Sequence, residues 1–348
     1  MALRVLFIGG TGIISAACAR EAVAAGIDLT VLNRGRTSTR PLPDGVRQVL
    51  GDVNACRDGA ALRDLLDGAG PDGAGPDGAG GSGGSAGFDA VVDFVAFTPD
   101  QVARDVEAFT GRVGQYVFVS SASAYQTPPL RWPITESTPL RNPYWGYSRD
   151  KMACEQLLTE AYRDNGFPAV LLRPSHTYDA TAIPLTGGWT EVERMRRGAP
   201  VVVHGDGTSL WTLTHARDVA SALVGMLGRP SLAGQAVHVT SDEVMTWDQI
   251  SRDLAAAAGA PDPRIVHVTS DEIASARPEW AEGILGDKAH SLVFDNSLVK
   301  RIVPGWSAPT SWAAGAREIV AWHDADPARR AIDAGVDAVL DRLAARAG

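Results

Sequence analysis

The chain has 348 residues, 45% of them hydrophobic, and a formal net charge of −9. Such a length and composition suit one large α/β domain with a smaller lobe, and the acidic balance argues against a surface that tracks nucleic-acid phosphates. The three cysteines, Cys18, Cys56 and Cys154, lack the spacing of a zinc site or a disulfide framework, so no metal and reduced thiols are expected.

From the N-terminus, the apolar run Arg4–Ile8 leads into Gly9-Gly10-Thr11-Gly12, and a helix is predicted from Ile13 to Ala25. Further buried strands are predicted at Asp28–Leu32, Arg47–Leu50, Ala90–Phe94, Gln115–Ser120 and Ala169–Arg173, with helical patterns between them. This alternation is that of a Rossmann-type, doubly wound parallel sheet. Between a helix at Ala60–Leu66 and the strand at Ala90 lies Gly68–Gly87, which contains Pro-Asp-Gly-Ala-Gly twice and is expected to be a flexible surface insertion.

Past Thr177 the rhythm loosens: helices are predicted at Trp189–Arg197, Ala216–Leu227 and Trp247–Ala258, and strands at Val201–His204 and Gln235–Thr240. The expected division is a dinucleotide-binding domain over 1–177 and a smaller substrate-binding lobe over 178–348 that returns to the main sheet. No cleavable leader is apparent and no apolar run is long enough to span a bilayer, so a cytoplasmic protein without a membrane partner is expected.

A strand, a glycine turn and a helix start together suit a dinucleotide pyrophosphate, because free N–H groups and the helix dipole favour an anion there. Gly9 permits the tight turn, Gly10 and Thr11 continue it, Gly12 lets the backbone approach the phosphates, and Ile13 opens the helix; Ser15 takes the place of the usual third glycine. After the second strand stands Asn33-Arg34, where an NAD-preferring fold places an acid. With Arg36 nearby, Arg34 is suited to grip a 2′-phosphate, which tilts the cofactor from NAD to NADP, or else these arginines are solvated loop charges. Asp52 is placed for the adenine amino group or as a loop cap, with Val53 beside it. Phe94-Val95-Ala96 should pass beneath the cofactor ribose or serve the core.

Tyr147 and Lys151 are four residues apart in a helical segment and so share one face. An ammonium there stabilises phenolate and brings a phenol that titrates near ~10 toward neutrality. Ser121, after an apolar strand, can hydrogen-bond the same substrate oxygen. Ser123, His176, Trp189 and Trp211 are the candidate substrate contacts, although His176 can equally be a buried structural histidine and the tryptophans core residues. His215, before a helix start with Asp218, is expected to be structural.

The motifs Gly9-Gly10-Thr11-Gly12, Gly51-Asp52, Ser120-Ser121-Ala122-Ser123-Ala124-Tyr125, Tyr147-x-x-x-Lys151, Leu172-Arg173-Pro174, Gly205-Asp206-Gly207-Thr208 and His215-Ala216-Arg217-Asp218 run in order over about two-thirds of the chain. In them the sequence resembles the extended or atypical short-chain dehydrogenase/reductases of the NAD-dependent epimerase/dehydratase family. The resemblance implies Tyr147 as acid/base, Lys151 on the nicotinamide ribose, Ser121 on the substrate oxygen and Pro174 near the carboxamide. It also implies a homodimer formed through helices including Asp100–Thr110 and Lys151–Tyr162. His176 and Trp211 stand where many nucleotide-sugar enzymes of the family carry Asn and Arg, and Ala122-Ser123 where dehydratases carry an acid pair.

The expected activity is hydride transfer at a carbinol or ketone of a sugar-like small molecule, nucleotide-linked or not, by an epimerase or ketoreductase. The alternative is a catalytically idle relative that senses dinucleotide or binds RNA or protein.

Overall fold

The structure, a computed structural model, describes residues 2–36, 39–67 and 87–347; the glycine-rich insertion expected over 68–87 lies, apart from Gly87, outside the described residues. Strands β1 (Arg4–Ile8), β2 (Asp28–Asn33), β3 (Arg47–Leu50), β4 (Ala90–Asp93), β5 (Gln115–Val119) and β6 (Ala169–Pro174) form within a residue of the predicted bounds. With Ala236–Val239 they make a seven-stranded sheet, in the order Ala236–Val239, β6, β5, β4, β1, β2, β3. The pairings from β6 to β3 are parallel.

Each of β4 and β5 is buried along its whole length. Strands covered on both faces read as continuous apolar runs, which is why no alternation marks them in the sequence. The chain order reverses across β1 and β4, so the carboxyl ends of these two strands flank the crevice where such sheets bind ligands.

Helices α1 (Ile13–Ala24), α2 (Gly59–Asp67), α3 (Pro99–Phe109) and α4 (Gly146–Asn165) connect the strands. Local chemistry sets their ends. Thr98 caps α3, Pro99 opens it, and Gln101 Oε1 accepts from Thr98 N–H at 3.1 Å, while Gly166 beyond α4 has φ of 68°. Among the described residues no helix is long and apolar enough to cross a membrane.

By its contacts the chain divides into two compact units, each entered three times: 1–120, 150–173 and 220–237 in the first, and 121–149, 174–219 and 238–348 in the second. A single boundary after residue 177 therefore becomes an interleaved one. The first unit holds the sheet core, with Leu6, Ile8, Val91, Phe118 and Leu171 packed on helix residues such as Val102 and Leu158.

The second unit is built on Trp211, Trp247, Trp312 and their neighbours. Its Val201–His204 pairs in parallel with Ile265–Val268, a strand absent from the sequence prediction. His215 and Asp218 are bound up in structure: His215 Nδ1 accepts from Arg217 N–H at 3.1 Å, and Asp218 accepts from Thr310 N–H at 3.1 Å and from its hydroxyl at 3.0 Å.

Candidate active site

In the first unit, the turn after β1 forms one wall of a cleft of about 180 Å³ that also includes Thr11, Asn33, Arg34, Asp52, Val53 and Val95. Gly9 adopts φ of +83°, and a Cβ there would lie 2.6 Å from Val95 Cγ1; a Cβ at Gly10 would overlap Val31. Both glycines are thus required by the close approach of backbone to β2 and to the turn after β4. Gly12 precedes partly buried Ile13 and is open on its outer side, with its N–H held by Ser15 Oγ at 2.9 Å. The cradle fits a dinucleotide: a helix start whose glycines bring no side chain of their own to the outer face, with Ser15 Oγ on the Gly12 N–H.

Asn33 sharpens that fit. Its Oδ1 accepts from Gly35 N–H at 3.0 Å and from Gln48 Nε2 at 2.7 Å, which fixes the orientation of the amide. Its Nδ2 is buried without a hydrogen-bond partner among the described residues, a donor at the cleft in need of an acceptor. Arg34 and Arg36 are exposed on the same wall. Asp52 acts locally as a cap, accepting from Asn54 N–H at 3.1 Å, and the carbonyl of buried Val53 accepts from Arg104 at 2.8 Å.

Lys151 is 1% exposed, and its ammonium donates to the carbonyls of Ala96 and Val119, both at 2.8 Å. It also lies 4.6 Å from the Phe97 ring centre and 4.5 Å from that of Phe118. Burial pulls its pKa down to about 8, against the opposing pull of Asp93. The amine therefore sits at the carboxyl ends of β4 and β5, where two carbonyls hold it. Phe94, partly buried, packs edge-on against Phe7 at 5.1 Å, while Val95 and Ala96 donate their N–H groups to Asp93 Oδ1 at 2.6 and 2.8 Å.

One turn further along α4, Glu155 accepts from Ser120 Oγ at 2.5 Å and from Arg173 Nε and Nη2 at 2.9 and 2.5 Å. All three residues are buried. This pair ties α4 to the ends of β5 and β6.

In the second unit, Ser121 Oγ lies 2.9 Å from Ser123 Oγ and accepts from Ser123 N–H at 3.1 Å. Ser148 Oγ donates to Ser123 Oγ at 2.8 Å. Ser123 is 7% exposed and its carbonyl is held by Asn142 Nδ2 at 2.9 Å, so it supports Ser121 from behind and does not stand open on a surface. Tyr147, partly buried at the start of α4, has its ring centre 5.2 Å from that of Trp145.

Pro174 ends β6, and His176 follows it. Burial, then the Lys288 ammonium, pulls the His176 pKa down to about 3, so this ring is neutral at physiological pH. It meets Trp211 edge-on at 5.7 Å. Trp211 is 1% exposed and belongs to the core of the unit, and Trp189 is stacked on His323 at 4.6 Å with its Nε1 donating to Glu193. Neither tryptophan presents an open face in this structure, because both are used for packing.

Sequence patterns did not single out Asp93, Glu155, Arg173 or Ser148 as functional. Two signals were available. Asp93 is an acid closing the apolar run Ala90–Val92, and Glu155 follows Lys151 at helical spacing.

The model of the NAD dependent epimerase/dehydratase family matches residues 5–240. Over 310 residues the chain is 29% identical to 2'-dehydrokanamycin reductase of Streptomyces kanamyceticus, covering 87% of this chain and 80% of that protein. It is 26% identical to the chloroplast stem-loop binding protein of 41 kDa b of Arabidopsis thaliana, over 77% and 67% of the two chains. The fold matches that of UDP-glucose 4-epimerase from Bifidobacterium longum in complex with NAD+ and UDP, with a TM-score of 0.69 at 20% identity, covering 93% of this chain and 99% of that one.

Proposed function

The chain belongs to the NAD-dependent epimerase/dehydratase family, and on that premise we propose that it is a sugar ketoreductase or epimerase in which Tyr147 is the acid/base. The observation that carries this reading is Lys151, buried at the carboxyl ends of β4 and β5 with its ammonium on two carbonyls and one helical turn after Tyr147. The bound dinucleotide supplies the hydride donor or acceptor. The Tyr147 hydroxyl passes a proton to or from the substrate oxygen, Lys151 favours its phenolate form and binds the cofactor ribose, and Ser121 holds the same oxygen.

A reductase of a sugar ketone without a nucleotide diphosphate is the favoured outcome. Trp211, where many family members carry an arginine, is a core residue here and offers no charge to a diphosphate. The relative from Streptomyces kanamyceticus is likewise a reductase by name. Oxidation of NADPH in the presence of a panel of keto-sugars and keto-aminosugars tests the reading. Turnover is expected with a ketone, whereas interconversion of nucleotide sugars without net NADPH loss would make the protein an epimerase.

The stem-loop binding relative motivates a second reading, nucleic-acid binding. An electrophoretic shift with RNA hairpins, together with no turnover on any ketone, would establish it in place of the first.

We further propose that NADP is preferred to NAD. The orphaned Asn33 Nδ2 offers a donor to a phosphate oxygen, and Arg34 and Arg36 flank it. Calorimetry is expected to show NADP+ bound on the order of tenfold more tightly than NAD+. In Asn33→Asp/Arg34→Asn the order should reverse, because a carboxylate accepts ribose hydroxyls and repels a phosphate. Equal affinities in the wild type would reduce both arginines to solvated charges.

A further inference from the structure

Beneath the turn after β4 lie two acids, Asp93 and Asp105, both fully buried. Asp93 Oδ1 accepts from the N–H groups of Val95 and Ala96. Asp105, on α3, accepts from Arg104 Nε and Nη2 through Oδ1 at 2.9 and 2.7 Å, and from the Tyr116 hydroxyl through Oδ2 at 2.8 Å. The remaining oxygen, Asp93 Oδ2, is buried and meets no N–H or hydroxyl donor among the described residues, and the Asp105 carboxyl is the neighbouring acid. Two carboxyl groups in hydrogen-bond contact need one proton between them.

We propose that Asp93 is a positioning residue for Lys151: Oδ1 clamps the turn whose Ala96 carbonyl binds the ammonium, and Oδ2 shares one proton with Asp105, leaving a single buried negative charge to face the lysine. The inference rests on the reading of Lys151 as a cofactor-binding group. Burial, then the charge of Asp93, raises the Asp105 pKa well above the ordinary carboxylate range. Asp93 is the first of the groups that oppose the burial of Lys151, ahead of Cys154 and Glu155 on its own helix. The other charged or titratable groups around the acid pair include Arg104 on α3, Tyr116 on β5, Cys56 near Asp105 and Cys154 near Asp93. From β5 and the turn after β4 the Phe118 and Phe97 rings and the two carbonyls meet the ammonium, and none of these titrates.

The test compares wild type, Asp93→Asn, Asp105→Asn, Lys151→Met and Asp93→Asn/Lys151→Met across pH ~6 to ~10. NADPH binding is followed by calorimetry and melting temperature by calorimetric scan. In the wild type, affinity should fall as pH rises through about 8, where Lys151 loses its proton. Asp93→Asn should move that midpoint down by about one pH unit, since the amide still accepts from Val95 and Ala96 but carries no charge. Asp105→Asn keeps the Asp93 carboxylate and its clamp on the turn and should leave the midpoint in place.

The melting-temperature gap between wild type and Asp93→Asn should narrow above about pH 8, because the attraction exists only while the lysine is charged. Lys151→Met should recover stability lost in Asp93→Asn, including a failure to fold. An unchanged midpoint in Asp93→Asn, an equal shift in Asp105→Asn, or no recovery in the double variant would each overturn the proposal. If NADPH binds no form at any pH, the functional reading falls, and the melting arm still decides whether Asp93 and Lys151 are coupled.

Discussion

Replacing Tyr147 by Phe is expected to reduce turnover by roughly 10²–10⁴-fold, the usual contribution of a positioned proton donor. NADPH affinity should be nearly unchanged. The substitution removes one hydroxyl and keeps the ring, whose packing on Trp145 is apolar. Lys151→Met should behave differently and weaken cofactor binding as well as rate, since the ammonium is proposed to serve both. Steady-state kinetics with calorimetry of the same preparations separates the two effects. Wild-type turnover in Tyr147→Phe would move the acid/base role to another residue.

Arg173→Met is expected to cost about 3–5 kcal/mol of folding free energy, the range for removing one partner of a buried ion pair. Arg173 and Glu155 are 5% and 2% exposed, and the arginine contacts both carboxylate oxygens, at 2.9 and 2.5 Å. Without it, Glu155 keeps one donor, Ser120, and faces an apolar interior. The double variant Glu155→Leu/Arg173→Met should recover a large part of the loss, because two apolar side chains leave no charge without a partner. Chemical denaturation of the three variants measures this. A loss below about 1 kcal/mol in Arg173→Met would mean that the pair is solvated and behaves as a surface bridge.

The two expectations differ in where they come from. Tyr147 and Lys151 were legible because helical spacing is a local property: residues four apart lie on one face whatever the rest of the chain does. The Glu155–Arg173 pair spans 18 residues and two different elements, so neither segment names the other as its partner. Asn33 shows both sides at one position. Its identity at the end of β2 argued for NADP; the Gly35 bond to its Oδ1 is a local turn, but the second bond, from Gln48, follows only from the pairing of β2 with β3.

The same limit explains the tryptophans. An aromatic residue in a sequence carries no mark of whether it stacks on a ligand or fills a core, and Trp189 and Trp211 are placed in the core by neighbours such as His323 and Trp247, far away in the chain. Ser123 was named for its place beside Ser121. Its burial depends on Asn142 and Ser148, which reach it from other segments.

By itself, then, the sequence determined the parallel strands to within a residue, the glycine turn before α1 and the common face of Tyr147 and Lys151, since apolar runs, turn chemistry and helical spacing act over a few residues. Tertiary structure alone decided that carbonyls of Ala96 and Val119 hold the Lys151 ammonium, that Asp93 meets Asp105, and that the chain passes between two units several times. These depend on which distant segments share one dry interior, where a polar group must find a partner wherever the fold provides one.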